Sequence, residues 1–238
     1  IGYASPTPAT DGRAAFVVFA TGVVARYEAD GRRTWARWLG PKQRVMLGYD
    51  GMPAASPQVV GGVLVVPYNQ LLGLDLETGA TRWTGPPYAH FGTPAVGRVG
   101  AADVLYLPDG QAVDADSGRV VGSGLGSVYY TGAMAWGDRV WYVGTDTSYT
   151  TDAVNRAVGW RLRAGTPLGV ERLFDVELPT RDRVYSVPVL VGGQLFVMTR
   201  HKTLLVIDAE TGAVVHKGTV SEDVGEVWAP LVVAGGAV

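Results

Sequence analysis

Three histidines, three recurring aspartates and one glycine-rich segment are the residues of this chain whose types could do chemistry. His90, His201 and His216 share no ligand spacing, and a zinc site needs three or four convergent donors. Asp75, Asp114 and Asp208 recur at matching places in similar segments. Recurrence of that kind favours a turn-building carboxylate over a general acid or base. Gly122-Ser123-Gly124-Leu125-Gly126 has the glycines of a phosphate-cradling loop. Such a loop must open a helix, whereas residues 127–136 are aromatic and strand-like, so the segment reads as a link between sheets. No Gly-x-Ser-x-Gly elbow occurs, which removes the α/β-hydrolase arrangement. There is no cysteine, hence no thiol nucleophile, thiolate metal site or disulfide in this stretch. No catalytic, cofactor-binding or metal-ligating residue is assigned.

The elements that would have to position any site are short and numerous. Thirty-three glycines and fourteen prolines in 238 residues punctuate the backbone too often for long helices. No window keeps an apolar period of 3.6 over ten residues, so an all-β chain is expected. Hydrophobic residues at 47% supply a core. Twenty basic residues stand against twenty-two acidic ones without a basic cluster, which argues against nucleic acid as a partner. No apolar run approaches the ~20 residues of a membrane helix. The longest, residues 14–25, is broken by Thr21 and Gly22 and reads as two strands and a turn.

A repeat runs through the chain. Residues 56–66, with Ser-Pro, a Gly61-Gly62 pair and a β-branched run, lead to Leu74-Asp75-Leu76-Glu77-Thr78-Gly79 and then Trp83. Residues 187–197, with Gly192-Gly193, lead in the same order to Ile207-Asp208-Ala209-Glu210-Thr211-Gly212 and then His216. Weaker copies contain Trp35, Asp114 and Gly118, and Gly165. The turn glycines Gly31, Gly79, Gly118, Gly165 and Gly212 lie 48, 39, 47 and 47 residues apart, a spacing that suits a four-stranded propeller blade. The expected units are residues 1–40, 41–85, 86–122, 123–178 and 179–218, with the start of a sixth at 219–238. These boundaries predict an incomplete β-propeller of about five blades, a fragment of a longer chain.

On these residues the chain resembles the PQQ-like (quinoprotein-type) β-propeller repeat family, whose unit carries Ala-x-Asp-x-x-x-Gly-x-x-x-Trp. The unit ending at Trp83 matches with Gly73 in place of Ala; the first matches at Ala25, Gly31 and Trp35, with Tyr27 in the Asp position. The third has Gly122 and the fifth His216 where Trp belongs, and the fourth barely matches. The resemblance implies that the ring packs between neighbouring blades against the motif glycine, with Trp35, Asp75, Gly79, Trp83, Asp208 and Gly212 as structural residues. The family includes PQQ-dependent dehydrogenases, a lipoprotein of the outer-membrane barrel assembly machine and repeat proteins of other roles. The dehydrogenase site holds PQQ with calcium and often a pair of adjacent cysteines, which this chain lacks.

Three functions remain open at this level. The preferred one is a non-enzymatic scaffold that binds a protein or small ligand without a cofactor, placed in the periplasm, envelope or outside the cell by the resemblance. The others are a piece of a PQQ- and calcium-dependent dehydrogenase, and a sensor region of a multidomain protein such as a kinase. Strand alternation puts the links between blades and the loops between second and third strands on one face. Length and composition vary most there, including an insertion over residues 144–156. The candidate binding face comprises Tyr3, His90, Phe91, Tyr129, Tyr130, Thr131, Asp146, Tyr185, Ser186 and Trp228, since aromatic rings beside hydroxyls on rigid strands suit recognition.

Overall fold

The structure is a computed structural model and describes residues 6–42, 55–145, 154–220 and 225–233. Twenty strands form five four-stranded antiparallel sheets in chain order. Blade 1 contains β1 (Ala9–Thr10), β2 (Ala14–Val18), β3 (Val23–Glu28) and β4 (Arg33–Trp38). Blade 2 contains β5 (Gln58–Val60), β6 (Val63–Pro67), β7 (Gln70–Asp75) and β8 (Thr81–Pro87). Blade 3 follows with β9 (Ala95–Val99), β10 (Ala102–Tyr106), β11 (Ala112–Asp114) and β12 (Val120–Gly122). Blade 4 has β13 (Met134–Trp136), β14 (Arg139–Gly144), β15 (Arg156–Arg163) and β16 (Gly169–Glu177). Blade 5 has β17 (Val189–Val191), β18 (Gln194–Met198), β19 (Thr203–Asp208) and β20 (Val214–Thr219). Each sheet is a meander, and first strands of neighbouring blades touch, β1 with β5 and β9 with β13. This is an all-β propeller architecture, and the described residues contain no helix. Residues 225–233, read as the opening of a further unit, form no strand.

The cores lie between blades rather than within them. In β6, Val63 and Val65 face blade 3, while Leu64 and Val66 face blade 1. In β14, Val140 and Tyr142 pack toward blade 3, and Trp141 and Val143 toward blade 5. Period-two alternation sends successive side chains to opposite faces, so a strand covered on both faces reads as an unbroken apolar run. Four apolar clusters result, one for each pair of adjacent blades.

The recurring aspartates build turns. Asp75 Oδ1 accepts from the Glu77 amide at 3.1 Å, the Thr78 amide at 2.9 Å and the Thr78 hydroxyl at 2.8 Å. Asp208 repeats this with Glu210 at 3.1 Å and with the Thr211 amide and hydroxyl at 2.8 Å each. Asp114 accepts from the Ser117 amide at 2.8 Å and its hydroxyl at 2.5 Å. These bonds, the Thr hydroxyls first, hold Asp75 and Asp208 below the usual carboxylate range. Gly79, Gly118 and Gly212 close the turns at φ of 70°, 71° and 73°, where a side chain is strained.

A ring from each of three blades lies against the turn glycine of the next. Trp35 meets Gly79, Trp83 meets Gly118 and Phe174 meets Gly212, each so closely that a Cβ on the glycine would overlap the ring. Trp83 is buried, whereas Trp35 is half-buried and donates from Nε1 to the Leu76 carbonyl at 3.0 Å. Strand 4 of every blade carries a bulge in this region, one residue of it facing no partner on strand 3, and the bulges correct the motif alignment. Trp35 pairs with Arg26 as Trp83 pairs with Gly73. Glu28, not Tyr27, therefore occupies the Asp position, because the first turn is one residue shorter. The fourth unit has the same device in Gly159 and Phe174, whose ring would clash with a Cβ at Gly159. Gly165, counted among the turn glycines, does not adopt positive φ, since β15 and β16 run on past the usual turn. Where Gly122 replaces the ring, blades 3 and 4 are joined by Trp160 Nε1 donating to the Leu125 carbonyl and by the Leu168 amide donating to Val121 O at 3.0 Å.

Candidate functional site

The links between blades are tied to one another and to the loops between second and third strands by main-chain hydrogen bonds. Tyr88 N donates to Asn69 O at 2.9 Å, Tyr129 N to Thr145 O at 2.8 Å, Arg200 N to Arg183 O at 2.7 Å and Val227 N to Arg200 O at 2.8 Å. Gly92 and Gly132 let two links pass in backbone contact: a Cβ on Gly92 would strike Thr131, and one on Gly132 would strike the Thr93 carbonyl. The links and loops therefore share one face and hold each other there.

That scaffold brings five of the expected rings into a continuous ladder. Phe91 lies 5.9 Å from Tyr129 and 6.4 Å from Tyr130 between ring centroids. Tyr129 and Tyr130 meet edge to face at 4.8 Å, and Tyr130 and Tyr185 at 4.9 Å. Tyr185 stacks on Trp228 at 4.3 Å and 10°. The residues come from the links before blades 3, 4 and 5 and from the segment after blade 5. Phe91, Tyr129, Tyr130 and Tyr185 are half-buried, while Trp228 is 58% exposed. Stacked and edge-to-face pairs add to area burial, so the ladder is held in place at its buried end and open at the other.

Cations border it. The Arg183 guanidinium lies 5.8 Å from the Tyr130 centroid and donates to the Tyr185 hydroxyl at 3.3 Å. Arg200 lies 5.8 Å from the Trp228 centroid and pairs with Glu226 at 2.5 Å. Asp182 accepts from the His201 amide at 2.6 Å and pairs with His201 Nδ1 at 2.7 Å. Burial would raise the Asp182 carboxyl, but hydrogen bonds from Thr199 and His201 outweigh it and hold the group below the usual range. Arg183, Arg200, Asp182 and Glu226 were missed in the sequence. Nearness along the chain to Tyr185 and Trp228 could have pointed to Asp182, Arg183 and Glu226, but Arg200 lies far from both rings in the sequence.

The other expected residues are placed differently. His90 leaves the ladder, sits edge-on to Tyr88 at 5.3 Å and faces Asp109 at 3.5 Å. Burial would raise Asp109, but the His90 bond and the Gln111 amide keep it low. Thr131 and Ser186 are buried, so they support the face rather than form its surface. Tyr3, Asp146 and most of the 144–156 insertion lie outside the described residues.

Among the described residues no group of three or more His, Asp or Glu could hold a metal ion. The chain has no cysteine. No described helix is long and apolar enough to cross a membrane, which leaves β-barrels unaddressed.

Residues 2–119 match the family model described as outer membrane protein assembly factor BamB. This match and the fold likenesses that follow support a PQQ-like repeat family. The fold is similar to that of BamB from Moraxella catarrhalis, at TM-score 0.64 and 15% identity, covering 91% of this chain and 64% of that one. It is also similar to quinohemoprotein alcohol dehydrogenase from Comamonas testosteroni, at TM-score 0.62 and 14% identity, covering 92% and 43%. A third likeness is the computationally designed Ika8 protein, at TM-score 0.59 and 14% identity, covering 90% and 61%. The chain thus spans less than two thirds of the length of these structures. No curated protein sequence matches it.

Proposed function

We propose that this PQQ-like propeller is a non-enzymatic scaffold of the cell envelope that binds a protein partner on its link face. The observation that carries the reading is the aromatic ladder from Phe91 to Trp228, bordered by Arg183 and Arg200 and ending in an exposed Trp. Tyr, Trp and Arg are the side chains that dominate protein interfaces, because each covers much area and still hydrogen-bonds at its tip. The match of residues 2–119 to an outer-membrane assembly factor supports an envelope setting and a protein partner. The recurring aspartates are consumed in their own turns, on the face opposite the ladder.

Site-specific photo-crosslinking in the native cell tests this. A photoreactive residue at Tyr185 or Trp228 should trap one discrete protein, and the same residue at Thr78 or Thr211 should not. The dehydrogenase alternative is favoured only by the fold likeness to the quinohemoprotein. Dye reduction by the purified protein with an alcohol or glucose, after adding PQQ and calcium, should stay at background; saturable turnover would replace the scaffold reading.

A further inference from the structure

A second concave site lies away from the ladder, in the wedge between the outer strands of blades 1 and 2. It encloses about 590 Å³ and is lined by Trp38, Arg37, Asn69, Gln70, Thr81 and Thr84, among others. That volume is in the range of small-ligand sites. Trp38 ends β4 and is 66% exposed. Its indole is nevertheless fixed, because Nε1 donates to the Thr21 carbonyl at 3.0 Å. A tryptophan held open to solvent forgoes the burial that a ring of its size normally gains.

The polar lining restricts what such a ring could meet. Among the described residues, no Asp, Glu, Lys or His lines the wedge. Arg37, the cation among the described lining residues, donates from Nη1 to Gly79 O at 3.0 Å and to Thr81 Oγ1 at 2.7 Å, so it is held against the neighbouring turn rather than presented to an anion. The remaining side-chain groups are the amides of Gln70 and of Asn69, whose Nδ2 donates to Pro41 O at 2.9 Å, the hydroxyls of Thr81 and Thr84, and that of Tyr68, which donates to Gly40 O at 3.0 Å; amides and hydroxyls both donate and accept. A fixed indole beside uncharged amides and hydroxyls is complementary to a ligand with one face of C–H groups and a rim of hydroxyls. The C–H face meets the negative π surface, and the rim exchanges hydrogen bonds with the side chains. We infer that the wedge between blades 1 and 2 binds a neutral pyranose oligosaccharide, stacked on Trp38 and bonded by Gln70 and Thr84. This site shares no residue with the ladder, so the two stand or fall separately.

Three trisaccharides serve as probes: chitotriose, cellotriose and maltotriose, titrated into the purified protein by calorimetry and followed by tryptophan fluorescence. At least one should bind saturably, with Kd near or below about 1 mM, a value ordinary for a shallow site. Trp38→Ala should weaken that binding at least ~10-fold and Thr84→Ala by ~3-fold or more, in line with losing an aromatic anchor and one hydrogen bond. Trp38→Phe should retain most of it, and Trp228→Ala should leave it unchanged. Trp38 is exposed, so the variants should remain folded, and circular dichroism checks that. Absence of saturable binding by all three probes overturns the proposal. So does binding that Trp38→Ala leaves within twofold of the parent.

Discussion

The two faces of these blades are built on different principles. On the turn face the same solution recurs: an aspartate accepts two main-chain amides and a hydroxyl, a positive-φ glycine closes the turn, and a ring from the preceding blade covers that glycine. An acid two residues after the aspartate then pairs with an arginine of the preceding blade, Glu77 with Arg26, Asp116 with Arg82, and Glu210 with Arg139 and Arg161. On the link face the main-chain ties between links and loops recur, but the rings do not. Its rings come from links of different length and sequence, and they meet only because the blades bring them together. Repeated chemistry of this kind serves the joint between blades, whereas the unrepeated rings leave apolar surface open to a partner. The proposed function thereby divides fold and recognition between opposite faces.

The strongest test of the turn face is Trp83→Ala. The ring is buried between Gly73 and Gly118, so its removal should cost about 3–5 kcal/mol by chemical denaturation. His216 holds the equivalent position in blade 5 and is exposed; His216→Ala should change stability by less than ~0.5 kcal/mol. Equal losses at both positions would break the view that docking rings, rather than the position itself, hold the joints. On the link face the expected effect moves from stability to binding. Tyr130→Ala, Tyr185→Ala and Trp228→Ala should each weaken the crosslinked partner by more than ~1 kcal/mol, measured by calorimetry.

A smaller effect sharpens the role of the aspartates. Asp75 and Asp208 have folded pKa values below their ordinary ones. The unfolded chain therefore binds protons first, and their stabilisation is full above the ordinary aspartate range and lost as pH falls through the lower folded values. Replacing both by Asn should flatten the acid limb of a stability–pH curve while leaving partner affinity unchanged. Least of all, Glu210→Ala should cost no more than ~1 kcal/mol, because its arginine pairs are partly solvated.

Much of the turn face was legible in the sequence because its chemistry is local. Asp, Thr and Gly within five residues define a turn without reference to anything distant, and Asp75 and Asp208 could be read that way. The first unit misled by one position, since a turn one residue shorter moves Glu28 into the place assigned to Tyr27. The fourth unit hid its match because Phe174 does the work of Trp after an extended hairpin. On the link face the sequence supplied candidate rings but not their contacts. Phe91, Tyr130 and Trp228 lie far apart in the chain, and only blade-to-blade packing makes them neighbours. His90 was grouped with them by position, yet its bond to Asp109 takes it elsewhere. The arginines were invisible for the same reason, because an Arg over a ring is a tertiary fact.

The most direct test of the assignment compares two variants against one partner. Affinity for the protein trapped at Tyr185 should fall at least ~5-fold in Tyr185→Ala, the equivalent of ~1 kcal/mol, and stay within twofold in Glu210→Ala. Loss of affinity in the Glu210 variant with none in the Tyr185 variant would place recognition on the turn face and contradict the account.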